Sequence, residues 1–125
     1  MADARFPRAE RLKSRTSIGL LFSRSSKSVA ESGLRLIWCP STEPLERGAQ
    51  VLVAAPKKRF KRAVVRNRIK RLLREAWRME RGSLTEEWVA SNSPKLIGLV
   101  YTGDSEPSLT VIRSTLRVLL DRAKW

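Results

Sequence analysis

The residues of this chain best suited to chemistry lie between positions 57 and 78. Eleven of those 22 residues are Lys or Arg, and Glu75 is the only acid among them. Arg guanidinium groups fork onto phosphate oxygens, whereas Lys supplies a strongly hydrated point charge. Because like charges four residues apart on a helix repel each other, a partner that neutralises them would remove a real cost. The residue types and their density therefore predict a surface that binds a polyanion.

Apolar residues recur at helical spacing through the same segment, so we expect its cations on an ordered helix and not on a disordered tail. On a wheel of ~100° per residue, the cations form one stripe, made of Arg66, Lys70, Arg74 and Arg78, with Asn67 and Arg71 beside it. The apolar side chains fall in a neighbouring arc, made of Val65, Ile69, Leu72, Leu73, Ala76 and Met79. We predict a helix that begins near Arg62 or Ala63, stops at Gly82 and docks its apolar face on a core.

The composition of the whole chain is that of a basic protein that can fold. Its 125 residues carry a formal net charge of +14, and 42% of them are hydrophobic. This balance favours nucleic acid as the partner over an anionic membrane. The apolar runs are too short to span a bilayer, and residues 1–15 lack the apolar core of a signal peptide. We therefore expect a cytoplasmic protein, and the single cysteine, Cys39, fits a reducing compartment.

The chain offers few groups for catalysis of its own. It has no histidine and one cysteine, which excludes the usual zinc sites and any His-based triad or general base. Glu86-Glu87 is the only adjacent pair of acids, and its simplest interpretation is exposed charge in the first turn of a helix. We expect no catalytic residue, no metal site and no cofactor held by the protein itself, so any reaction it serves is carried by another molecule.

The segments before the basic helix predict the elements that position it. A short helix is expected from Thr16 to Arg24, where it would bury Ile18, Leu21 and Phe22, followed by a turn over Ser23–Ser28. For Phe22, lining a cleft is as good an interpretation as core packing. Strands are expected at Leu34–Cys39, at Gln50–Ala55 and, as a central strand, at Leu96–Tyr101.

The segments after the basic helix predict two further helices. Ser83-Leu84-Thr85-Glu86 matches a capping box, so a short helix should run through about Val89. Ser105-Glu106-Pro107 has helix-start chemistry and precedes an amphipathic stripe made of Leu109, Ile112, Leu116, Leu119 and Leu120. Trp77 and Trp88 are expected to pack in or near the core. The resulting order, α-β-β-(β)-α-α-β-α, belongs to the α+β class, as one domain over residues 1–125 with residues 1–10 flexible.

The run from Lys58 to Arg78, with Arg66-Asn67-Arg68 at its centre, resembles the signature of the bacterial ribonuclease P protein component. The resemblance extends to the Arg11-Leu12-Lys13 start, to the helix with Ile18, Leu21 and Phe22, and to the order of the elements, and so covers nearly the full length. It implies a compact α+β two-layer sandwich, α-β-β-β-α-β-α, with a left-handed β-α-β crossover.

The resemblance also implies a function. In that family the catalyst is an RNA, which uses Mg²⁺ to cut the 5′ leader from precursor tRNA, and the protein is an accessory subunit of this endoribonuclease. Its partners would be the ribonuclease P RNA and precursor tRNA, and not DNA or a membrane. The residues implied to bind the catalytic RNA are Arg66, Asn67, Arg68, Lys70, Arg71 and Arg74. Those implied to line a cleft for the leader are Ile18, Phe22, Arg35, Ile37 and Arg59, and additional basic contacts are expected from Lys57, Lys58, Lys61 and Arg62.

The chain departs from the commoner pattern of the family at two of these positions. A Phe is usual where Ile18 stands, so one aromatic platform for a leader base is missing, and such stacking is worth roughly 1–3 kcal/mol per base. Many members have Gly where Lys61 stands. We therefore expect leader binding that is weaker or relies more on charge.

Three other functions remain open from the residues alone. An rRNA-binding protein would bind RNA equally well without affecting tRNA processing. A helix-turn-helix DNA-binding protein fits less well, because an extended basic segment and not a helix with a tight turn precedes the basic helix. A protein-only nuclease is disfavoured by the lack of histidine and of clustered acids.

Overall fold

The computed structural model describes residues 10–23 and 26–125. The described elements are α1 (Arg15–Leu21), β1 (Lys27–Glu31), β2 (Leu34–Pro40), β3 (Ala49–Ala54), α2 (Ala63–Glu80), α3 (Leu84–Ala90), β4 (Lys95–Tyr101) and α4 (Leu109–Arg122). The flexibility expected of residues 1–10 concerns mainly residues 1–9, which lie outside the described residues, as does Arg24 at the expected end of α1. Glu10 is described, and it is fully buried.

The four strands form one mixed sheet in the order β1-β2-β4-β3. β1 pairs with β2, and β2 with β4, in antiparallel fashion, whereas β3 runs parallel to β4. The connection from β3 to β4 contains α2 and α3, because parallel neighbours need a crossover. The α+β class and the central position of β4 are thus confirmed, while the left-handed sense of the crossover stays a prediction.

One face of the sheet carries the larger core. Alternation along β2 places Leu34, Leu36 and Trp38 on this face, where they meet side chains of β4, α2 and α4. Trp77 of α2 is completely buried there, and Trp88 packs edge-on against Trp125, with ring centroids 4.9 Å apart. The expected core packing of Trp77 and Trp88 is confirmed.

Among the described residues, the opposite face of the sheet is covered by α1, by the segment before it and by Leu45 of the β2–β3 connection. The second, smaller core cluster consists of Leu12, Leu21, Ile37, Cys39 and Leu96. Gly98 in the middle of β4 lets α1 approach closely, since a Cβ atom added there would lie 3.1 Å from Leu21 Cδ2. Because α1 has only seven residues, it leaves part of this sheet face open.

The structure corrects the turn expected at Ser23–Ser28. Lys27 and Ser28 begin β1, a polar edge strand that forms a hairpin with β2. The two hairpin residues, Ser32 and Gly33, have φ angles of 45° and 83°, as the favoured two-residue hairpin turns require. The Ser-Gly pair before an apolar strand was the available signal, and the polar composition of β1 hid it.

The apolar arc expected for α2 is wrong at its end. Met79 is 40% exposed, whereas Trp77, which lay outside the expected arc, is fully buried. The buried residues Ile69, Leu73, Ala76 and Trp77 define the core-facing side of α2, and at ~100° per residue Met79 lies well away from Trp77. For Phe22, where core packing and cleft lining were equally good interpretations, core packing is wrong: the residue is 51% exposed, because it is the C-cap of α1 and lies past the residues that touch the sheet.

Two predicted helix starts differ in detail. α3 forms, but Ser83 makes no capping hydrogen bond to the backbone, and its hydroxyl lies 3.5 Å from Glu87 Oε1 instead. The capping box was therefore a wrong interpretation of that tetrapeptide. The N-cap of α4 is Ser108, whose Oγ accepts from the Val111 amide at 3.2 Å, so the helix begins beyond the Ser105-Glu106-Pro107 segment.

Candidate nucleic-acid interface

The N-terminal end of α2 combines its backbone dipole with a cluster of cations. The first turn has no acidic residue, and the N-cap, Arg62, provides no side-chain hydrogen bond to the free amides. A helix N-terminus carries a partial positive charge, which acids normally offset. Here cations add to it, so this end of the helix attracts anions more strongly than either feature would alone.

One flank of α2 presents polar and basic side chains to the surface. Asn67 and Arg71 are exposed, and Lys70 and Arg74 are partly exposed. No carboxylate in the described part of the chain pairs with Lys70, Arg71 or Arg74. Burial, together with the nearby positive charge of Arg11, lowers the pKa of Arg74 below its ordinary value. This flank therefore holds concentrated positive charge that the protein does not neutralise.

Two arginines expected to bind RNA already have partners in the protein. Arg66 Nη1 donates to the backbone carbonyls of Phe60 and Lys61, each at 2.8 Å. Arg68 Nη1 donates to Glu106 Oε1 at 2.6 Å. Arg66 thus holds the segment before α2 in place with part of its guanidinium, while the ion pair of Arg68 is exposed on both sides and open to exchange with a phosphate.

The segment that leads into α2 is ordered by its single aromatic residue. Phe60 is buried and stacks on Tyr101 of β4, with ring centroids 6.0 Å apart. The surrounding cations Lys57, Lys58, Lys61 and Arg62 are all exposed, so they extend the basic surface beyond the helix.

A short acidic loop between β4 and α4 (residues 102–108) borders this basic surface. Tyr101 Oη donates to the Ser105 carbonyl at 2.7 Å and so fixes the loop. Asp104 pairs with Arg59, as Glu106 does with Arg68. Burial and the charge of Asp104 raise the pKa of Tyr101, so its hydroxyl stays protonated. The loop thus sets one carboxylate beside each of two predicted RNA-binding arginines.

Four of the five residues expected to line a leader cleft, Ile18, Phe22, Arg35 and Ile37, lie on α1 or on the side of β2 that faces it. Ile18 is half-buried against the smaller core, and Phe22 projects from the end of α1. Arg35 shares the α1 side of β2 with Ile37, is exposed, and approaches Ser28 Oγ at 3.4 Å. Arg59 follows the turn after β3.

The structure does not give these five residues equal access. Ile37 is only 9% exposed and pairs with Gly98 in the sheet register, where Leu21 also packs, so it forms part of the floor. Phe22 and Arg35 expose their side chains to a ligand, whereas the Arg59 guanidinium is paired with Asp104 and would have to leave it to reach one.

Sequence reasoning missed Glu10, whose carboxylate connects the N-terminal segment to α2. Glu10 is fully buried; Trp77 Nε1 donates to its Oε2 at 3.2 Å, and Arg81 donates to its Oε1. Arg47 Nε lies 3.6 Å from Oε1. An acid followed by a basic-apolar pair at the start of a basic protein gives no periodic signal, so only the tertiary contacts could identify it.

A second missed carboxylate, Glu80, joins α2 to α4. Arg113 Nε donates to Glu80 Oε2 at 2.6 Å and Arg117 Nε to Oε1 at 2.9 Å. The hydrogen bonds from Arg117 and Arg113 outweigh the burial of the carboxyl and hold the pKa of Glu80 below its usual 4.5. The C-terminal half of α2 is therefore fixed by ion pairs.

The described residues offer little else that could bind a ligand. They contain no group of three or more His, Cys, Asp or Glu side chains placed to hold a metal ion. None of the helices within residues 10–23 and 26–125 is both long and apolar enough to cross a membrane. A cavity of about 410 Å³ lies beside Arg47 and Arg81, between α3 and the β2–β3 connection, away from the basic flank of α2.

Comparison with known proteins identifies the family to which this arrangement belongs. The model of the ribonuclease P family matches residues 6–124. The chain belongs to the ribonuclease P protein family. It is 33% identical over 125 residues to the ribonuclease P protein component of Chlorobaculum tepidum, covering 91% of this chain and 79% of that protein. To the ribonuclease P protein component of Porphyromonas gingivalis it is 30% identical, covering 92% of this chain and 83% of that protein.

Solved structures of ribonuclease P proteins share the fold. The chain is similar to the Staphylococcus aureus ribonuclease P protein with a TM-score of 0.71, at 22% identity, over 92% of this chain and 95% of that one. It is similar to the Thermotoga maritima ribonuclease P protein with a TM-score of 0.70, at 21% identity, over 93% and 99% of the two chains. The family expected from the basic segment is thus confirmed. Ribonuclease P is a tRNA-processing ribonucleoprotein nuclease, and an RNA partner follows from membership as its protein component.

Proposed function

We propose that this protein is the accessory subunit of a cytoplasmic ribonuclease P, binding both the catalytic RNA and the 5′ leader of precursor tRNA. The observation that carries the proposal is the flank of α2 with Asn67, Lys70, Arg71 and Arg74, whose cations have no acidic partner among the described residues. In nucleic-acid binding, each phosphate that a cation neutralises releases a condensed counterion, which makes binding favourable and dependent on salt.

The proposed division of labour follows the two basic regions. α2 and the cations before it contact phosphates of the catalytic RNA, so that closely spaced strands repel each other less. Arg68 exchanges Glu106 for a phosphate, and Arg66 keeps the loop carbonyls while its remaining donors face the RNA. The leader lies on the open sheet face, where Phe22 offers a stacking surface and Arg35 and Arg59 offer charge.

The proposed chemistry is that of the RNA subunit, which would use Mg²⁺ to cut the leader. The protein would hold no metal and no catalytic group; it would lower the Mg²⁺ concentration required, because its cations reduce phosphate repulsion near the cut site. It would also favour precursor over mature tRNA, since only the precursor has a leader to bind.

The deciding experiment is cleavage of a 5′-extended precursor tRNA at low Mg²⁺ with the protein alone, the cognate RNA alone, and both together. Cleavage at the mature 5′ end only in the mixture supports the proposal. If the protein binds RNA but adds nothing to cleavage, the rRNA-binding function replaces it. Cleavage by the protein alone would contradict the assignment of the chemistry to RNA.

Two variants test the division of labour in the same assay. Arg71→Gln should weaken assembly with the catalytic RNA, and raising the protein concentration should restore cleavage. Arg35→Gln should leave assembly intact and reduce the preference for precursor over mature tRNA. Lys124→Gln removes an equal charge at an exposed position beyond α4 and is the control for both.

A further inference from the structure

The segment from Glu10 to Lys13 connects the edge of the sheet to α2. Arg11 forms an isolated parallel bridge with Val51 of the edge strand β3, and the Leu12 amide donates to the Val51 carbonyl at 3.0 Å. Leu12 is buried in the smaller core. Glu10 and Leu12 therefore face the protein interior, and Arg11 between them is exposed.

The carboxylate of Glu10 fixes the position of this segment along α2. It accepts hydrogen bonds from Trp77 and Arg81, at the C-terminal end of the helix. Arg74 lies one turn before Trp77 on α2, and Arg11 is the neighbour of Glu10 in the segment that Trp77 and Arg81 hold against the helix. The two guanidinium groups are close enough that the charge of Arg11 contributes to the lowered pKa of Arg74.

No acid in the described part of the chain pairs with either arginine. Two like charges held near each other cost free energy, unless an anion lies between them. The structure imposes this repulsion, because the contacts of the buried Glu10 carboxylate with Trp77, Arg81 and Arg47 fix the segment that carries Arg11.

We propose that Arg11 and Arg74 form a two-segment site for one RNA phosphate, and that Glu10 is the residue that positions Arg11 to complete it. The inference rests on the proposed function, because the phosphate would belong to the catalytic RNA. The proposed site extends the basic flank of α2 onto the N-terminal segment. In it, the buried Glu10 contributes to RNA binding by positioning Arg11, without contacting the RNA.

The test measures binding of the full-length protein to its cognate RNA at several salt concentrations. Arg11→Gln and Arg74→Gln should each weaken binding about tenfold, the effect of losing a charge-assisted hydrogen bond, and Lys124→Gln should change it far less. The double variant should lose much less than the product of the two single losses, because both arginines serve one phosphate. An Arg11→Gln variant that binds like the control, or two losses that multiply fully, would overturn the proposal.

The Glu10→Gln variant distinguishes the positioning of Arg11 from a general electrostatic effect, because the two predict opposite changes in RNA affinity. The variant gains one positive charge, so long-range attraction alone predicts tighter binding to RNA. The proposal predicts weaker binding, close to that of Arg11→Gln, and no further loss when the two changes are combined. Tighter binding by a folded Glu10→Gln protein would refute the positioning role.

If circular dichroism shows that Glu10→Gln does not fold, Trp77→Phe replaces it. This change removes the indole donor to Glu10 and keeps an aromatic ring in the core, and it should weaken binding without altering charge; unchanged affinity would refute the positioning role. The cleavage assay with the wild-type protein distinguishes a failure of this site from a failure of the proposed function. If the wild type supports cleavage and Arg11→Gln binds RNA as the wild type does, this site alone is refuted. If the wild type neither supports cleavage nor binds the RNA, the proposed function and the site are refuted together.

Discussion

The two halves of α2 differ in how their charges are paired and how deeply they are anchored. In the N-terminal half, Ala63–Arg71, Ile69 is the one fully buried residue, and the described carboxylate that reaches a cation there is exposed Glu106. In the C-terminal half, Leu72–Glu80, Leu73, Ala76 and Trp77 are buried. There Glu75 pairs with Arg78, and Glu80 pairs with Arg113 and Arg117 of α4.

This difference shows that the placement of the acids, as much as that of the cations, separates the binding part of α2 from its structural part. The N-terminal half has four cations and no acid, whereas the C-terminal half has two of each. In the C-terminal half the acids link Arg78 and two arginines of α4, while Lys70 and Arg71 of the N-terminal half have no acidic partner among the described residues. Unpaired like charges on a helix destabilise it by a few tenths of a kcal/mol per pair. The anchored half is what allows the other half to carry that cost, so a single helix performs both tasks.

The largest expected effect comes from removing the anchor. Trp77→Ala should lower the free energy of unfolding by about 3–5 kcal/mol, since it leaves a cavity and removes the indole donor to Glu10. Val64→Ala in the N-terminal half, where the side chain is 57% exposed, should change it by less than about 0.5 kcal/mol. Chemical denaturation of both variants checks this, and equal losses of unfolding free energy would mean that the two halves of α2 are anchored equally.

The next effect concerns RNA and not stability. Lys70→Gln/Arg71→Gln should weaken RNA binding roughly 100-fold near physiological salt and reduce the slope of log K against log salt by about 1.5. Its free energy of unfolding should stay the same or rise slightly, because repulsion is relieved. The same loss of two charges in Arg122→Gln/Lys124→Gln, at the far end of α4, is the control in a salt titration. A double variant that loses stability as well would mean that these side chains are structural.

Glu80→Gln tests the ion pairs of the C-terminal half of α2 through the pH dependence of the free energy of unfolding. At neutral pH the variant should lose about 1.5–3 kcal/mol of unfolding free energy, the value of hydrogen bonds to a charged group. Because the folded-state pKa of Glu80 is lowered, its contribution is present in full above about pH 4.5 and is lost as the pH falls through the lowered value. Denaturation of both proteins between pH 7 and 3 should therefore show the difference shrinking only in acid. A gap that stays constant down to pH 3 would contradict the ion-pair origin, and Glu43→Gln, on an exposed loop, supplies the baseline.

The smallest effect is expected from the acidic loop beside the N-terminal half. Asp104→Asn/Glu106→Gln should change stability by less than about 1 kcal/mol, since exposed ion pairs contribute little. RNA affinity should rise several-fold, more than the gain from Glu43→Gln, because Arg59 and Arg68 lose their competing carboxylates. Filter binding at fixed salt measures the RNA affinity of both variants, and the gain in affinity is then divided by the number of negative charges removed. Equal gains per charge would mean that only net charge matters.

Much of this molecule was decided by local sequence. The period of apolar residues from Val65 to Ala76 determined α2 and its basic flank, because a helix presents one face every 3.6 residues whatever surrounds it. The nearly continuous apolar run at Leu96–Tyr101 likewise determined a central strand, since both of its faces must be covered. The density of Arg and Lys determined a polyanionic partner.

Only the tertiary structure decided which charges are available and which are structural. Glu10 and Trp77 lie 67 residues apart in the chain, and Glu80 meets Arg113 and Arg117 only because α2 packs on α4. The same holds for Phe22, whose exposure depends on where α1 stops on the sheet, and for Ile37, which the approach of Leu21 buries. Periodicity assigns a side chain to a face, but whether that face binds a ligand, an ion partner or the core depends on which distant segment folds against it.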